Sequence, residues 1–186
     1  MTNESRVIEA VYQEVVAEWA AKSIASRDQL AAALTEYRVR FAYHSGAIEN
    51  PSITYHDTRD IFEDGRVVGY TGDPRTLFEI QNLKECHEVI LDAFASNRKL
   101  DEQLVLEVHR TLTQGTYDER RWAAGERPGA YKVGDYVAGV GDAGATSAEV
   151  RAEMATLLAE VSQAPLDKAQ LPAHIAWPPS HCFLRG

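Results

Sequence analysis

Apolar residues recur at intervals of three and four along most of this chain, which is the spacing of amphipathic helices. Over residues 5–21, valines and a tryptophan at this spacing predict a first helix. Ser26 and Gln29 form a capping box, and the apolar stripe behind them predicts one longer helix that reaches about Ser45. The dominant pattern indicates a mainly α fold.

Four more helices are marked by polar residues that favour helix starts, and a final helical piece is expected from about Pro172. The start signals in chain order are Thr54 with Asp57, Asp73 before Pro74, Leu100 with Asp101, and Thr146 with Glu149. Gly65 and Gly115 are the expected stops of the first and third of these helices. The apolar faces predict a core that contains Leu77, Ile80, Leu83, Leu104, Val108, Leu112, Met154, Leu157 and Val161.

The pattern changes between Tyr117 and Gly144, where glycines and charges surround short runs of valine and tyrosine. The β-favouring residues Tyr131, Val133, Tyr136, Val137 and Val140 suit short strands better than a helix, so a small β-hairpin is predicted here. A hairpin with open polar edges can bind an extended peptide by strand addition. It can equally be a surface ribbon without a partner, and the residues alone favour that simpler interpretation.

Composition and charge exclude several classes of function. The net charge of −9 and the scattered basic residues argue against a nucleic-acid partner. No apolar run approaches the roughly 20 residues of a membrane helix, and the start of the chain lacks a secretory signal, so we expect a cytoplasmic protein without a membrane partner. Cys86 and Cys182 lack metal-ligand spacing and are expected to be reduced thiols.

Two segments contain residues that could carry chemistry. Ser45 and Glu49 are four residues apart, so on a helix the hydroxyl can reach the carboxylate, but these residues alone favour a simpler interpretation, a frayed helix end with a solvated glutamate. In HIAWPPSHCFLRG, His174 to Gly186, His181 has the ordinary properties of a general base, although taken alone the two histidines of this segment are more often exposed polar residues. His87 and His109 lie near apolar faces and are expected to be structural, and His174 to support the core or the loop.

The order of these segments resembles the Fic family, whose members commonly transfer AMP from ATP to a protein hydroxyl. The family's inhibitory motif reads Ser/Thr-x-x-x-Glu-Gly/Asn, and Ser45 to Asn50 fits it at every defined position. The later family features are matched, in order, by residues 54–65, residues 74–96, His109-Arg110-Thr111-Leu112, Pro128-Gly129-Ala130-Tyr131-Lys132 and His174. The resemblance covers roughly residues 30–176.

The resemblance also implies roles for individual residues. Ser45, Glu49 and Asn50 match the inhibitory motif, His181 the catalytic histidine and Gly186 a nucleotide-binding glycine. The predicted hairpin matches the family's flap, which docks the target, and its expected docking residues are Tyr131, Lys132, Val133 and Val137. The cofactors of the family are ATP and Mg²⁺, and no residue of this chain is assigned to the metal.

The catalytic signature of the family, His-Pro-Phe-x-Asp/Glu-Gly-Asn-Gly-Arg-x-x-Arg, is met only in part. Cys182 stands at the proline, Arg185 at the acidic metal ligand, and the sequence reaches the first glycine at Gly186. Pro178 and Pro179 would interrupt the helix that leads to His181. We therefore expect AMP transfer to be absent or very weak, ATP and Mg²⁺ binding to be compromised, and Glu49 to lack its arginine partner.

These expectations leave two functional alternatives. The chain is either a Fic-type adenylyltransferase with an incomplete site, or a non-catalytic Fic-like scaffold whose flap binds a protein segment or a partner Fic-like chain. A homo-oligomer is compatible with both. The residues also fit a third interpretation, a soluble helical domain whose likeness to the Fic family lies in its scaffold alone. The expected organisation is one domain over 1–186, with N-terminal helices in 1–53, a Fic core in 54–177 and an aberrant end in 178–186.

Overall fold

The computed structural model describes residues 3–49, 51, 53–67, 69–135 and 144–163. Within these residues the chain is mainly helical, as predicted, with eight helices and no strand. The helices are α1 (Asn3–Ala21), α2 (Arg27–Ala33), α3 (Thr35–Glu49), α4 (Tyr55–Asp64), α5 (Pro74–Ala95), α6 (Glu102–Thr113), α7 (Glu119–Ala123) and α8 (Val150–Gln163). None of the described helices combines the length and the apolarity needed to cross a membrane.

The chain divides into two compact units. The first comprises residues 1–25 and 132–186 and includes α1 and α8, and the second comprises residues 26–131 and includes α2 to α7. Within the second unit α5 is the central element, because α2, α3, α4 and α6 all contact it.

Helix α5 begins where the sequence predicts. Asp73 is its N-cap, and the carboxylate accepts a hydrogen bond from the amide of Arg75 at 2.9 Å, while Pro74 occupies the first turn. Its apolar face is buried deeply, with Ile80 and Leu91 almost fully removed from solvent. Four neighbours can pack around α5 because it presents this face over more than five turns.

Helix α4 begins and ends at the capping residues that the sequence predicts. Thr54 and Asp57 form a reciprocal capping box, and Gly65 ends the helix in the left-handed region at φ 70°. Lys84 of α5 adds a bond that the sequence did not indicate, since its Nζ donates to the carbonyl of Ile61 at 3.1 Å. The last turn of α4 is thereby tied to α5.

The main core of the second unit lies among α3, α4 and α5. Its buried cluster consists of Val39, Ala42, Ile53, Ile61, Phe62 and Ile80. Among the predicted core residues, Ile80, Leu104 and Met154 are buried, and the other six are half-buried. Most side chains of the cluster come from α3 and α4. Leu77 and Leu83 of α5 are only partly buried and pack against the cluster from outside.

The single long helix predicted from Ser26 is instead two helices, and this prediction was wrong. The capping interaction is present, since the Ser26 hydroxyl accepts from the amide of Gln29, but α2 ends at Ala33. Leu34 leaves the helical region at φ −96° and ψ 0°, and the Thr35 hydroxyl donates to the carbonyl of Ala31. Such back-bonding bends helices, and α3 then continues past Ser45 to Glu49.

The predicted hairpin is not seen in its described part. Over residues 117–135 the chain forms α7, which the sequence analysis missed, and then irregular backbone with a turn at Arg127–Ala130. Asp118 caps α7 by accepting from the amide of Arg121 at 2.8 Å. Gly125 and Gly129 have φ values of +89° and +76°, which break regular pairing. The hairpin residues Tyr136, Val137 and Val140 lie outside the described residues.

Helix α8 follows Thr146 and Glu149 as predicted. The amide of Thr146 donates to Oε2 of Glu149 at 3.1 Å, and the hydroxyl contacts the same oxygen at 2.7 Å. These hydrogen bonds hold the pKa of the exposed Glu149 carboxyl below its ordinary value. Val150 and Met154 form the buried side of the helix. The helical piece expected from Pro172 lies outside the described residues.

Candidate functional site

The inhibitory-type segment lies at the end of α3. Ser45 is half-buried and Glu49 is the last residue of the helix, so the two are four residues apart on one helix as predicted. Gly46 is buried between them, and a Cβ there would lie 3.8 Å from side chains of Ile53 and Ile80. The end of α3 therefore packs on the main core. The side chain of Glu49 and all of Asn50 lie outside what the structure describes.

A hydrogen bond joins α6 to the turn that follows α7. The amide of Gly129 donates to Nδ1 of His109 at 3.2 Å, and the imidazole is buried. Burial lowers the pKa of His109, and the charge of Arg121 lowers it further. The ring is thus neutral at physiological pH, with Nδ1 as the acceptor and the proton on Nε2. His109 is structural, as the sequence analysis expected.

The turn can approach α6 closely only because residue 129 is glycine. Its φ is +76°, a region that L side chains rarely adopt. A Cβ at this position would lie 2.7 Å from Cβ of Arg110 and 2.9 Å from the carbonyl oxygen of Leu106. Backbone conformation and steric space therefore impose the same requirement at one position.

Arginine pairs fix the segment between α6 and this turn. The guanidinium of Arg121 lies 3.7 Å from the ring centroid of Tyr117 and pairs with Glu126, from Nε to Oε2 at 2.7 Å. Both partners of this ion pair are largely buried, with side chains 19% and 12% exposed. Arg127 donates to the carbonyls of Trp122 and Glu126. The sequence analysis did not single out these arginines.

The expected flap residues have different environments. Tyr131 and Lys132 are half-buried, and Val133 is 50% exposed on irregular backbone. Nearby, Asp135 accepts a hydrogen bond from the amide of Ser147 at 2.6 Å, which lowers the pKa of its exposed carboxyl. Val137 lies outside the described residues. The described part of the expected flap is therefore irregular backbone, and the apolar side chain of Val133 is exposed to solvent.

A cavity of about 370 Å³ opens in the second unit among α3, α4, α5 and α6. Its walls are largely apolar and include Tyr37, Phe41, Phe62, Leu83, Ile90 and Leu112. Three other lining residues bear functional groups, namely Arg38, Cys86 and His87. Burial raises the pKa of the Cys86 thiol to about 11, so the thiol is protonated and unreactive.

Two of these lining residues each have a buried nitrogen atom, Nε of Arg38 and Nε2 of His87, that has no hydrogen-bond partner among the described residues. Burial lowers the pKa of His87, and the positive charge of Arg38 lowers it further. The sequence analysis missed this site because it treated His87 as structural and did not consider Arg38. One signal was available, since Arg38 interrupts the apolar stripe between Leu34 and Phe41.

The predicted catalytic and nucleotide-binding residues, His181 and Gly186, lie outside the described residues, as do His174 and Arg185. In the part of the chain that the structure describes, no three His, Cys, Asp or Glu side chains group as a metal site would require. A comparison with models of known protein families gave no match. A search of curated proteins likewise found no similar protein.

Proposed function

We propose that this chain is a Fic-like domain, built on the scaffold of protein adenylyltransferases, with weak or absent AMP transfer. The observation that carries the proposal is the bond between Gly129 and His109. These residues belong to two motifs, His109 to Leu112 and Pro128 to Lys132, that were matched to the family separately, 20 residues apart in the chain. Their contact supports reading them as parts of one scaffold.

The order of the helices gives further support. The inhibitory-type motif ends α3, a short helix and a long helix follow as α4 and α5, and the His-Arg-x-Leu motif lies in α6. Asn82 of α5 donates to the carbonyls of Leu112 and Gln114, which fixes the end of α6 against the long helix. The motif segments are thus held by α5.

The residues present do not fit the metal that the family uses. Mg²⁺ is bound through oxygen ligands, and Arg185 stands where the family has its acidic ligand. An arginine offers no oxygen and adds a positive charge beside the cation. No catalytic step through Mg²⁺ is derived for this chain, and weak or absent transfer follows from this substitution.

The proposal is tested by restoring the signature. One variant carries Pro178→Ala, Pro179→Ala, Cys182→Pro and Arg185→Asp, has Asn-Gly-Arg-x-x-Arg after Gly186, and is incubated with labelled ATP and Mg²⁺. We expect transfer of label to the chain or to added proteins, whereas the unaltered sequence transfers none. Adding His181→Ala to the restored chain should abolish the transfer. Clear His181-dependent labelling by the unaltered sequence contradicts weak transfer, and a restored chain that neither binds ATP nor transfers label contradicts the Fic scaffold.

The inhibitory assignment has its own test in the restored chain. Glu49→Gly should raise labelling there, because the family's inhibitory glutamate pairs with the final arginine of the signature. Glu36→Gly, at an exposed position in the first turn of the same helix, is the matched control and should leave labelling unchanged. Equal labelling by the restored chain and its E49G variant contradicts the inhibitory role of Ser45 to Asn50.

A binding role for the flap is the second candidate, and the exposure of Val133 favours it. A partner Fic-like chain would cover this side chain, and a second copy of the protein is the available test partner. Sedimentation equilibrium should show association of the unaltered chain that V133D abolishes and V133I retains. A chain that is monomeric at all concentrations contradicts this candidate.

A further inference from the structure

The cavity in the second unit has the size of a small-molecule site. Its volume of about 370 Å³ lies in the range of ligand pockets, roughly 300–1,000 Å³. Tyr37, Phe41 and Ile90 line it and are each more than 40% exposed, so the opening itself is apolar. The rings of Tyr37 and Phe41 stack with centroids 5.7 Å apart, which gives this side of the opening a firm aromatic surface.

The cavity is lined by a positively charged side chain. Arg38 is the one charged residue among the residues described as lining it, in a chain whose net charge is −9. The guanidinium carbon of Arg38 lies 6.0 Å from the ring centroid of Phe62, and no ion pair of Arg38 occurs among the described residues. The cavity therefore combines apolar walls with a cation for which the described residues supply no ion-pair partner.

Two buried nitrogens in this cavity lack acceptors. Nε of Arg38 always carries a proton, and Nε2 of His87 carries one in one of the two neutral tautomers of the ring. A buried donor that is left unpaired destabilises the folded protein, whereas a charge-assisted bond to a carboxylate is among the stronger hydrogen bonds. An anionic group bound beside Arg38 and His87 would provide the acceptor that these donors lack.

We propose that this cavity binds an amphiphilic carboxylate, a medium-chain fatty acid or a molecule like it, with the carboxylate on Arg38 and His87. The alkyl chain lies against the apolar walls formed by Phe41, Ile90 and Leu112. The proposal is independent of the Fic-like assignment, since it uses no residue of the inhibitory motif, the flap or the catalytic signature. The ligand class follows from the apolar walls and the single uncompensated cation.

Calorimetric titration of the full chain with decanoate and with decanol tests the proposal. The two probes share their alkyl chain and differ in charge. We expect decanoate to bind about ten- to a hundredfold more tightly than decanol, which is the contribution of a hydrogen bond to a charged group. No decanoate binding at millimolar concentration, or equal affinity for both probes, overturns the proposal.

Variants of α3 assign the effect to the cavity. Arg38→Met keeps the aliphatic stem and should remove the preference for decanoate, while Arg40→Met changes an exposed arginine on the same helix and should leave it intact. Circular dichroism checks that both variants are folded. Undiminished preference in R38M overturns the proposal.

A readout at the site itself covers the case in which R38M fails to fold. In methyl-labelled unaltered protein, decanoate should shift the resonances of Ile90, Val108 and Leu112, which line the cavity, and leave those of the exposed Leu100 unchanged. Shifts at Leu100 without shifts at the cavity overturn the proposal. The proposal is also overturned if sedimentation shows a dimer and the cavity resonances do not respond to decanoate in that dimer.

Discussion

Gly129 concentrates two physical constraints in one residue. Its positive φ excludes most side chains, and its Cα approaches Arg110 and the backbone of Leu106 so closely that a methyl group has no room. The close approach is what allows its amide to reach the ring of His109. The hydrogen bond between the turn and α6 therefore depends on the absence of a side chain at residue 129.

Gly129→Ala should destabilise the protein more than the substitution of a glycine that has a positive φ but enough space for a Cβ. Gly115→Ala is the control, because φ is +73° there and a Cβ would meet no atom within 4 Å. We expect a loss of about 1–2 kcal/mol for G115A and a further 1–3 kcal/mol for G129A, from overpacking against Arg110. Urea unfolding measures both, and equal losses contradict the close approach.

The buried ring of His109 makes stability depend on pH. Its pKa in the folded chain lies below the ordinary value of about 6.5, first because of burial and then because of Arg121. As the pH falls below about 6.5, the unfolded chain takes up a proton that the folded chain does not. The stability that comes from the neutral ring is thus present above that pH and is lost as the pH falls through the folded pKa.

Replacing His109 by Gln should weaken this pH dependence. Glutamine keeps an acceptor for the amide of Gly129 but does not titrate. Urea unfolding at pH 7.5 and pH 5.5 should show a smaller decrease in the free energy of unfolding for H109Q than for the unaltered chain. Adding His87→Gln, at a second ring whose pKa burial lowers, should reduce it further. An unchanged decrease in H109Q contradicts the burial of a neutral ring.

At the scale of elements, α5 organises the second unit through polar bonds as well as apolar contacts. Asn82 is buried and its Nδ2 donates to the carbonyls of Leu112 at 3.1 Å and Gln114 at 2.7 Å. Carbonyls at the end of a helix have no partner within that helix. Asn82 therefore serves as a cap for α6 that is supplied by a neighbouring helix.

Asn82→Ala should cost about 1–3 kcal/mol of stability, since two carbonyls lose their donor inside the protein. Asn82→Asp should cost more, because a carboxylate oxygen then faces the carbonyl oxygens. Gln81→Ala is the control, since the side-chain amide of Gln81 donates to the exposed Glu85 on the same helix, and the substitution should change stability by less than about 0.5 kcal/mol. Equal unfolding midpoints for N82D and Q81A contradict this role of Asn82.

At the scale of the whole molecule, the second unit contains its own hydrophobic core. Every residue of the main buried cluster, from Val39 to Ile80, lies within residues 26–131. The ion pairs of Arg27 with Glu88 and Asp92 also lie inside this unit and tie α2 to α5. A unit with a core and short connections of its own is expected to fold without the rest of the chain.

A polypeptide of residues 26–131 should therefore unfold cooperatively in urea and give a helical circular dichroism spectrum. Ile80→Ala in the same polypeptide should abolish the transition or move it to much lower urea, because removing this fully buried side chain costs about 2–5 kcal/mol. Gradual unfolding of the unaltered polypeptide contradicts an independent second unit.

The sequence by itself determined where most helices begin, because their signals are local. Thr54, Asp73 and Asp101 each bond an amide two or three residues away, so the chemistry of each cap is written in a few adjacent positions. The mainly α class followed in the same way from the spacing of apolar residues. The order of the motifs that resemble the Fic family is also a feature of the sequence alone, and membership of that family stays a prediction.

Only the tertiary structure decided which apolar helix faces are buried in the core and which line the cavity. The contact of His109 with Gly129, the bonds of Asn82 across to α6, and the grouping of Arg38 with His87 join residues that are 20 to 49 positions apart, a separation that no local pattern encodes. The break at Leu34 and the irregular backbone beyond Gly125 likewise overrode local propensity. Packing chose these features, because the burial of a side chain depends on what other elements bring against it.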